Sequence, residues 1–286
     1  MNRLYKKSIK ISIVMPSYNQ GIYIDSAIKS ILNQKYPDLE LIIIDNLSID
    51  NTNTVLKKYD EKLTIIREKD RGQTNAINKG FRVAKGEILA YLNSDDLYAQ
   101  NTLKIVSDYF EKHTKAKIVY GKGGFIDKKG KFIGYYKTQF PTLDNLFKEC
   151  VISQPTVFMR KEVYEQIGPF DENLKYAMDY DYWIRVAKKF KFNFIDSVLA
   201  STRLHSESKT SQKAQVFSEI LKVLKKNYGK VSDEAIFNYA YAVELNPKLK
   251  IGKALNQYLR YMQLPTVCGL KHFGILFRQV FLKKTT

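Results

Sequence analysis

The sequence predicts an α/β protein with a mostly parallel, doubly wound central sheet flanked by helices. Short apolar runs of strand length alternate with segments whose apolar residues recur at helical spacing, which is typical of right-handed βαβ units. Several of these runs end in polar or acidic residues. The carboxyl ends of the strands form the ligand-binding edge of such a sheet, so we expect a site there.

Four strands are predicted in the first third of the chain. Residues 9–15 alternate and then become wholly apolar, and Pro16 is expected to end this strand because proline lacks the N–H that a central strand donates. Leu39–Asp45 reads as a second, buried strand that ends in a carboxylate. The third and fourth strands are predicted at 63–67 and 86–92.

Helices are predicted between these strands, at 24–32, 55–59 and 74–84. Ser48 or Asp50 can cap the second helix, since a short polar side chain accepts the free N–H groups of a first turn. Gly86 is expected to be the C-cap of the third.

The pattern changes after residue 100. Thr102 is expected to cap another helix, and Ile118–Tyr120 to form a strand. The run Gly121–Gly124 after this strand is expected to be a tight turn or a β-bulge. A hairpin is predicted at 125–136. Beyond about residue 212 only helical patterns remain, and we therefore divide the chain into 1–211 and a basic helical region, 212–286.

The charge predicts an anionic partner. The chain has 286 residues and a formal charge of +18, which suits nucleic acid, an acidic membrane surface or a phosphorylated ligand. Region 212–286 holds 13 basic and 4 acidic residues, so it carries +9 of this excess. No apolar stretch is long enough to span a bilayer, the N-terminus lacks a signal-peptide pattern, and the two cysteines lack metal or redox spacing. A cytoplasmic protein is expected.

The adjacent carboxylates of Asp95 and Asp96 follow the apolar run at 86–92. At a strand end they suit a hard divalent cation, and the alternative is a solvated turn that opens the next helix. The sequence after the first strand contains neither G-x-G-x-x-G nor a Walker A motif, so a dinucleotide fold and a P-loop are both unsupported.

Several motifs, taken in order, resemble one family. They are Ile13–Asn19, Ile44–Thr52, Asn75–Gly80 followed by Leu92–Asp96, and Met178–Arg185. Over residues 8–206 the chain resembles the bacterial family-2 glycosyltransferases, which are inverting enzymes of the Rossmann-like GT-A fold. Asn46 and Leu47 depart from the usual D-D-G-S pattern, and Met178 replaces a frequent glutamate.

The resemblance implies roles for individual residues. Asp45 would lie near the nucleobase or ribose, and Asp95 and Asp96 would contact ribose, diphosphate and an Mn²⁺ or Mg²⁺ ion. Asp179 would be the catalytic base. Apart from the resemblance, His205 follows a predicted apolar strand at 194–200 and could reach the diphosphate or complete the metal shell, with an ordinary polar residue as the alternative. Other residues expected at the nucleotide-sugar site are Pro16, Tyr18, Asn19, Asn46, Arg71, Gln73 and Asn75, although a solvated loop is an alternative for the last three.

Asp179 and Asp181 are two residues apart, so on a helix they point to different faces. The family motif selects Asp179. Asp181 is then expected to be structural, paired with Arg185 at i+4, and Trp183 to belong to the core. Both acids could instead be first-turn residues favoured by the helix dipole.

These residues predict transfer of a sugar from a nucleoside-diphosphate sugar, with a UDP-sugar favoured, to a saccharide or lipid-linked acceptor in surface polysaccharide biosynthesis. The basic region 212–286 suggests contact with the inner face of the membrane, with an oligomer contact or a solvated appendage as alternatives. A nucleic-acid-binding protein and a nucleotidyltransferase are the other functions considered, and no nucleic-acid partner is expected because acids crowd the strand ends.

Overall fold

The computed structural model describes residues 8–244 of the chain. Within this range nine strands form one sheet. They are β1 (Ile11–Ser17), β2 (Leu39–Asp45), β3 (Thr64–Arg67), β4 (Ile88–Tyr91), β5 (Leu97–Tyr98), β6 (Ile118–Ile126), β7 (Phe132–Tyr135), β8 (Phe158–Arg160) and β9 (Phe192–Arg203).

Helices cover both faces of this sheet. They are α1 (Ile24–Leu32), α2 (Thr52–Leu56), α3 (Gln73–Val83), α4 (Thr102–Lys112), α5 (Leu143–Lys148), α6 (Lys161–Ile167), α7 (Met178–Ala187), α8 (Lys213–Tyr228) and α9 (Asp233–Glu244). Each described helix lacks the combination of length and apolarity that crossing a membrane requires.

The strand order is β3-β2-β1-β4-β8-β6-β9-β5, and β7 pairs with β6 outside this path. The first four strands are parallel, as is the β6–β9 pair. Strand β8 runs antiparallel to both β4 and β6. The α/β prediction is confirmed, and the sheet is mixed because β5, β7 and β8 run against their neighbours.

Two apolar clusters lie on opposite faces of the sheet. Successive residues of a strand point to opposite faces, so Ile13 joins the cluster beneath α1, α2 and α4, while Val14 joins the cluster beneath α3 and α7. Leu221 of α8 and Val243 of α9 belong to the second cluster. The core therefore continues past residue 211, and the separate role of region 212–286 stays a proposal.

One expectation about strand ends is corrected. Pro16 does not end β1, because Pro16 pairs in register with Ile44 of β2. Ser17 O accepts from Asn46 on the β2 side, whereas Val14 O accepts from Leu92 on the β4 side. Successive residues of a strand bond to alternate sides, so an N–H at position 16 would point to the β4 side. The last β1–β4 pair lies before this position, and the proline therefore interrupts no hydrogen bond of the sheet.

Of the two alternatives for Gly121–Gly124, the structure has the bulge, because the run lies within β6 and does not form a turn. Its register against β9 shifts around Lys122, as at a β-bulge. A Cβ on Gly121 would lie 2.6 Å from the Leu199 side chain, and one on Gly123 would lie 2.2 Å from Ser153 Oγ. Close packing explains these glycines, and the hairpin expected at 125–136 is confirmed by the β6–β7 pair.

Two expected caps are also wrong. Helix α3 ends at Val83, and Gly86 instead brings its N–H to Ser12 Oγ at 2.7 Å. Asn101 occupies the N-cap position of α4, while Thr102 Oγ1 donates to Leu199 O at 2.6 Å and ties the helix to β9. Asp50, by contrast, accepts the Thr52 N–H at 3.0 Å at the start of α2.

Candidate functional site

A cavity of about 510 Å³ lies at the carboxyl ends of β1, β2 and β4. This is the edge that the sequence predicted, because parallel strands bring their polar ends together. The start of α3 and the segment after β9 complete its walls. Eight of the predicted site residues line it: Pro16, Tyr18, Asn46, Arg71, Gln73, Asp95, Asp96 and His205.

The Asp95–Asp96 turn is held by Arg203 at the end of β9. The Arg203 N–H donates to Asp96 Oδ1 at 2.9 Å, and Arg203 Nε donates to the carbonyl of Asp95 at 2.8 Å. Asn93 Nδ2 donates to Asp96 Oδ2 at 3.1 Å. Burial, followed by the charge of Asp95, raises the pKa of Asp96 well above its usual value. Two carboxylates at such a turn favour a cation nearby.

His205 faces Asp95 across 3.0 Å, from its Nε2 to Asp95 Oδ2. Its ring packs on Tyr23 with the centroids 4.9 Å apart, and the Arg203 guanidinium lies over the same tyrosine ring. The imidazole is therefore held at the cavity wall. Within residues 8–244 no group of three or more His, Cys, Asp and Glu side chains is arranged to hold a metal ion. The Asp95–His205 pair supplies two facing donors of types that divalent metals accept.

The opposite wall carries polar side chains fixed by neighbours. Asn46 Oδ1 accepts the Asp70 N–H at 2.8 Å, so the amide at this position orients a loop. Gln73 Nε2 donates to Asn93 Oδ1 at 2.5 Å, and Arg71 forms an ion pair with Glu172.

Three of the residues expected to bind the nucleotide sugar do not line the cavity. Asp45 is fully buried, and its carboxylate accepts from Ser48 N at 3.0 Å and Arg67 Nε at 3.2 Å. Asn19 accepts the Ile49 N–H at 3.0 Å, which ties two loops together. Asn75 donates to Glu172 at 2.9 Å. We conclude that these side chains support the loops around the cavity.

Asp179 lies in the first turn of α7 and is half-buried. One of its oxygens accepts the Tyr180 N–H at 2.9 Å. Burial raises the pKa of Asp179 to about 6. The nearby charges have smaller and opposite effects. Lys209 lowers this pKa, and Glu219 raises it. A carboxylate with this pKa is matched to proton abstraction near neutral pH.

Lys209 lines the cavity and was missed in the sequence. Its ammonium donates to Gln73 Oε1 at 2.6 Å and to the carbonyl of Lys175 at 2.8 Å. The walls of the cleft desolvate the ammonium and lower its pKa, while the charges of Asp179 and Asp95 act in the opposite direction. Lys209 therefore lies within electrostatic reach of both carboxylates.

Glu219 of α8 was also missed. It is buried, and its carboxylate accepts the backbone N–H groups of Lys175, Tyr176 and Ala177 immediately before α7. The available signal was a lone acid, Glu219, among the apolar and basic residues of its helix.

The remaining residues of the α7 motif are structural. Asp181 is fully buried and accepts from Arg185 Nε at 2.8 Å and from Asn227 Nδ2 at 2.9 Å, which confirms the expected i+4 pair. Trp183 lies in the core, also as expected.

Comparisons with known proteins agree with this geometry. Residues 12–168 match the model of glycosyl transferase family 2. An uncharacterized glycosyltransferase of Rickettsia typhi is 31% identical over 214 residues, which cover 70% of this chain and 66% of that protein. Chondroitin synthase of Escherichia coli is 26% identical over 230 residues, which cover 79% of this chain and 32% of the synthase.

Two solved structures share the fold. Staphylococcus aureus TarS 1–349 in complex with UDP-GlcNAc superposes with a TM-score of 0.66 at 18% identity, covering 89% of this chain and 81% of TarS 1–349. The mannosyltransferase PcManGT of Pyrobaculum calidifontis, in complex with GDP-Man and Mn²⁺, gives a TM-score of 0.62 at 17% identity, covering 98% of this chain and 83% of PcManGT. The family model and the fold together show that this chain is a glycosyltransferase of the GT-A fold and belongs to glycosyl transferase family 2.

Proposed function

We propose that the enzyme is an inverting transferase that moves a sugar from a nucleoside-diphosphate sugar to a hydroxyl group of a saccharide or lipid-linked saccharide. One observation carries this proposal. A carboxylate with a pKa of about 6, Asp179, occurs together with a cavity whose wall carries Asp95 and His205. Asp179 supplies the base, and the wall with Asp95 and His205 supplies a place for the diphosphate.

Asp179 would act as the general base. It takes the proton of the acceptor hydroxyl as the oxygen attacks the anomeric carbon, and the bond from that carbon to the diphosphate breaks. Lys209 would stabilise the negative charge that develops on the departing diphosphate, since it is a cation already oriented by Gln73. Holding donor and acceptor in line supplies a further part of the barrier reduction.

The donor would occupy the 510 Å³ cavity, a volume ordinary for small-molecule sites. TarS was solved with UDP-GlcNAc and PcManGT with GDP-Man, which supports a nucleotide sugar as donor. We favour a UDP-sugar. The nucleoside would lie against Tyr18, Asn46 and Arg71, and the diphosphate near Asp95 and Lys209.

Asp95 and His205 fit an Mn²⁺ or Mg²⁺ ion, because a carboxylate oxygen and an imidazole nitrogen face one another beside the cavity. When bound, the ion would neutralise diphosphate charge. Asp96 already accepts two hydrogen bonds, so it orients the turn and remains a third candidate ligand.

A metal-dependent donor assay tests the reaction class. Hydrolysis and transfer of several nucleotide sugars are expected to fall roughly 10²-fold or more with EDTA and to return with Mn²⁺. Asp95→Asn should weaken this response, whereas Asp108→Asn on the exposed face of α4 should leave it unchanged. If no nucleotide sugar binds or turns over, and Asp96→Ala has no effect, the transferase proposal fails.

Lys209→Met is expected to lower kcat/KM roughly 10- to 100-fold, the usual range for removing a hydrogen bond to a charged group. Because the charge of Lys209 lowers the pKa of Asp179, the variant should also require a higher pH for activity. Both effects are measured in one pH series, with the exposed Lys213→Met as matched control. If Lys209→Met and Lys213→Met behave alike, Lys209 has no role in the reaction.

The pH profile follows from Asp179. A base works only when unprotonated, so kcat/KM should climb with pH through the pKa of about 6 and level off above it. Steady-state kinetics between about pH 4.5 and about pH 8 measure this limb. A profile that stays flat over this range would leave the limb near the ordinary carboxyl value of 3.8 and show that burial does not set the titration of the base.

We propose a role in surface polysaccharide biosynthesis at the cytoplasmic face of the membrane. Contact of region 212–286 with lipid or with a second subunit is also proposed, and its residues 245–286 lie outside the described part of the chain. With the family established, the charge of +18 is assigned to a nucleotide-sugar donor and a membrane surface, and no further observation favours nucleic-acid binding or nucleotidyl transfer.

A further inference from the structure

The β6–β7 hairpin places β7 at an edge of the sheet, and this strand exposes large apolar side chains. Strand β7 pairs with β6 and, within residues 8–244, with no other strand. Phe132, Ile133 and Tyr135 are 48%, 53% and 67% exposed. Ordinary soluble surfaces scatter such residues singly, and a contiguous group of three marks an interaction site.

The turn of this hairpin is strongly basic. Lys128, Lys129 and Lys131 are exposed, and none of them forms an ion pair with another described residue. The adjacent carboxylate, Asp127, accepts the backbone N–H groups of Lys129 and Lys131 at 2.8 and 2.9 Å, so it is used to close the turn. Three cations therefore stand beside the three apolar side chains.

The hairpin adjoins the candidate active site. Arg203 Nη1 donates to the carbonyls of Asp127 and Lys128, both at 3.2 Å. The same arginine holds the Asp95–Asp96 turn through its N–H and Nε groups. Whatever the hairpin binds is thus held next to the mouth of the cavity.

We propose that the β6–β7 hairpin docks the enzyme on an anionic membrane surface. Phe132, Ile133 and Tyr135 enter the headgroup region, where aromatic and aliphatic side chains are favoured, and the lysines pair with lipid phosphates. Pairing of β7 with a second copy is disfavoured because β7 has only four residues and directly follows Lys131, and short edge strands flanked by lysine oppose edge-to-edge association. The proposal goes beyond the transfer reaction, since docking needs neither donor nor acceptor.

Sedimentation of the full chain with vesicles tests this surface. Binding is expected to vesicles of phosphatidylcholine with phosphatidylglycerol, and to be much weaker with phosphatidylcholine alone. Replacing Lys128, Lys129 and Lys131 with glutamine should lower the partition coefficient roughly 20- to 100-fold, since each lysine near an anionic surface contributes about fivefold. A matched triple variant, Lys57→Gln, Lys58→Gln and Lys115→Gln, removes the same charge from exposed positions elsewhere. Equal losses in both triple variants would overturn the proposal.

A fluorescent reporter tests insertion directly. Trp183 is the chain's one tryptophan and is buried, so Phe132→Trp adds an exposed indole whose emission should shift to the blue with phosphatidylglycerol vesicles and be quenched by brominated lipid. The matched reporter Ile22→Trp, at an exposed position on another loop, should do neither. An unshifted emission from the Phe132→Trp variant overturns the proposal. So does retention of the wild type on an acidic polysaccharide together with no vesicle binding, which would assign the hairpin to a soluble polymer.

Discussion

Asp179→Asn is expected to lower kcat roughly 10²- to 10⁴-fold, the usual contribution of a general base. Asparagine keeps the size of the side chain and its acceptor for the Tyr180 N–H, but it cannot take a proton. The affinity for the donor should stay within about twofold, because the side chain does not line the donor cavity. Single-turnover rates and donor binding by calorimetry separate the two quantities.

Asp181→Asn is the matched control on the same helix. Asp181 is fully buried and bonded to Arg185 and Asn227, so its replacement should lower the free energy of unfolding and leave the pH profile of the remaining activity in place. If Asp179→Asn retains near wild-type kcat, or if Asp181→Asn removes the acid limb, the assignment of the base is wrong.

Stability gives an independent readout of the same residue. The pKa of Asp179 is about 6 when folded and 3.8 in its ordinary state, so between these values the folded protein binds more protons and its stability falls as the pH rises. At pH 7 the charged group costs the fold about 2 kcal/mol, allowing for its partial exposure. Asp179→Asn should therefore have the higher Tm at about pH 7 and lose this advantage near pH 4.

The N-terminal half of the fold could be predicted because local pattern and tertiary environment agree there. The second strand and the first helix have the predicted bounds, since each has an uninterrupted apolar pattern with polar residues at its ends. The choice between a turn and a bulge at the β6 glycines could not be made from the sequence. A Gly-rich run ordinarily marks a turn, and the crowding by Leu199 and Ser153 that keeps Gly121 and Gly123 in a strand comes from distant parts of the chain.

The residues of the candidate site likewise divide into those that the sequence predicts and those that it does not. Residues at strand ends, such as Asp95 and Asn46, reach the cavity because sheet topology places every strand end at one edge. Asp45 also lies at a strand end, yet its carboxylate turns to Ser48 and Arg67, a choice that depends on packing. Glu219 contacts the start of α7, which lies more than 40 residues earlier in the chain. A contact over this sequence separation cannot be predicted from patterns in a single sequence.

Removal of the contact between Glu219 and the start of α7 is the second change with a large expected effect. Glu219 joins α8 to the segment that positions Asp179, through Lys175 N at 2.9 Å and Ala177 N at 2.7 Å as well as Tyr176 N. A carboxylate at the start of a helix is stabilised by the free N–H groups and by the dipole. Removing it leaves these donors without their acceptor, which costs roughly 2–3 kcal/mol of folding free energy. We therefore expect Glu219→Ala to lower the Tm.

Catalysis should suffer as well as stability, because a displacement of about 1 Å at a reacting group costs roughly 10²-fold in rate. Glu219→Ala is thus expected to lose about 10² in kcat with donor KM little changed, and to move the acid limb to lower pH, since the charge of Glu219 raises the pKa of Asp179. Asn227→Ala removes another contact from α8 to α7, at Asp181, and should lower stability without either kinetic effect. If both variants lose only stability, Glu219 serves the fold alone. If Glu219→Ala alone shifts the acid limb, helix α8 is part of the catalytic apparatus.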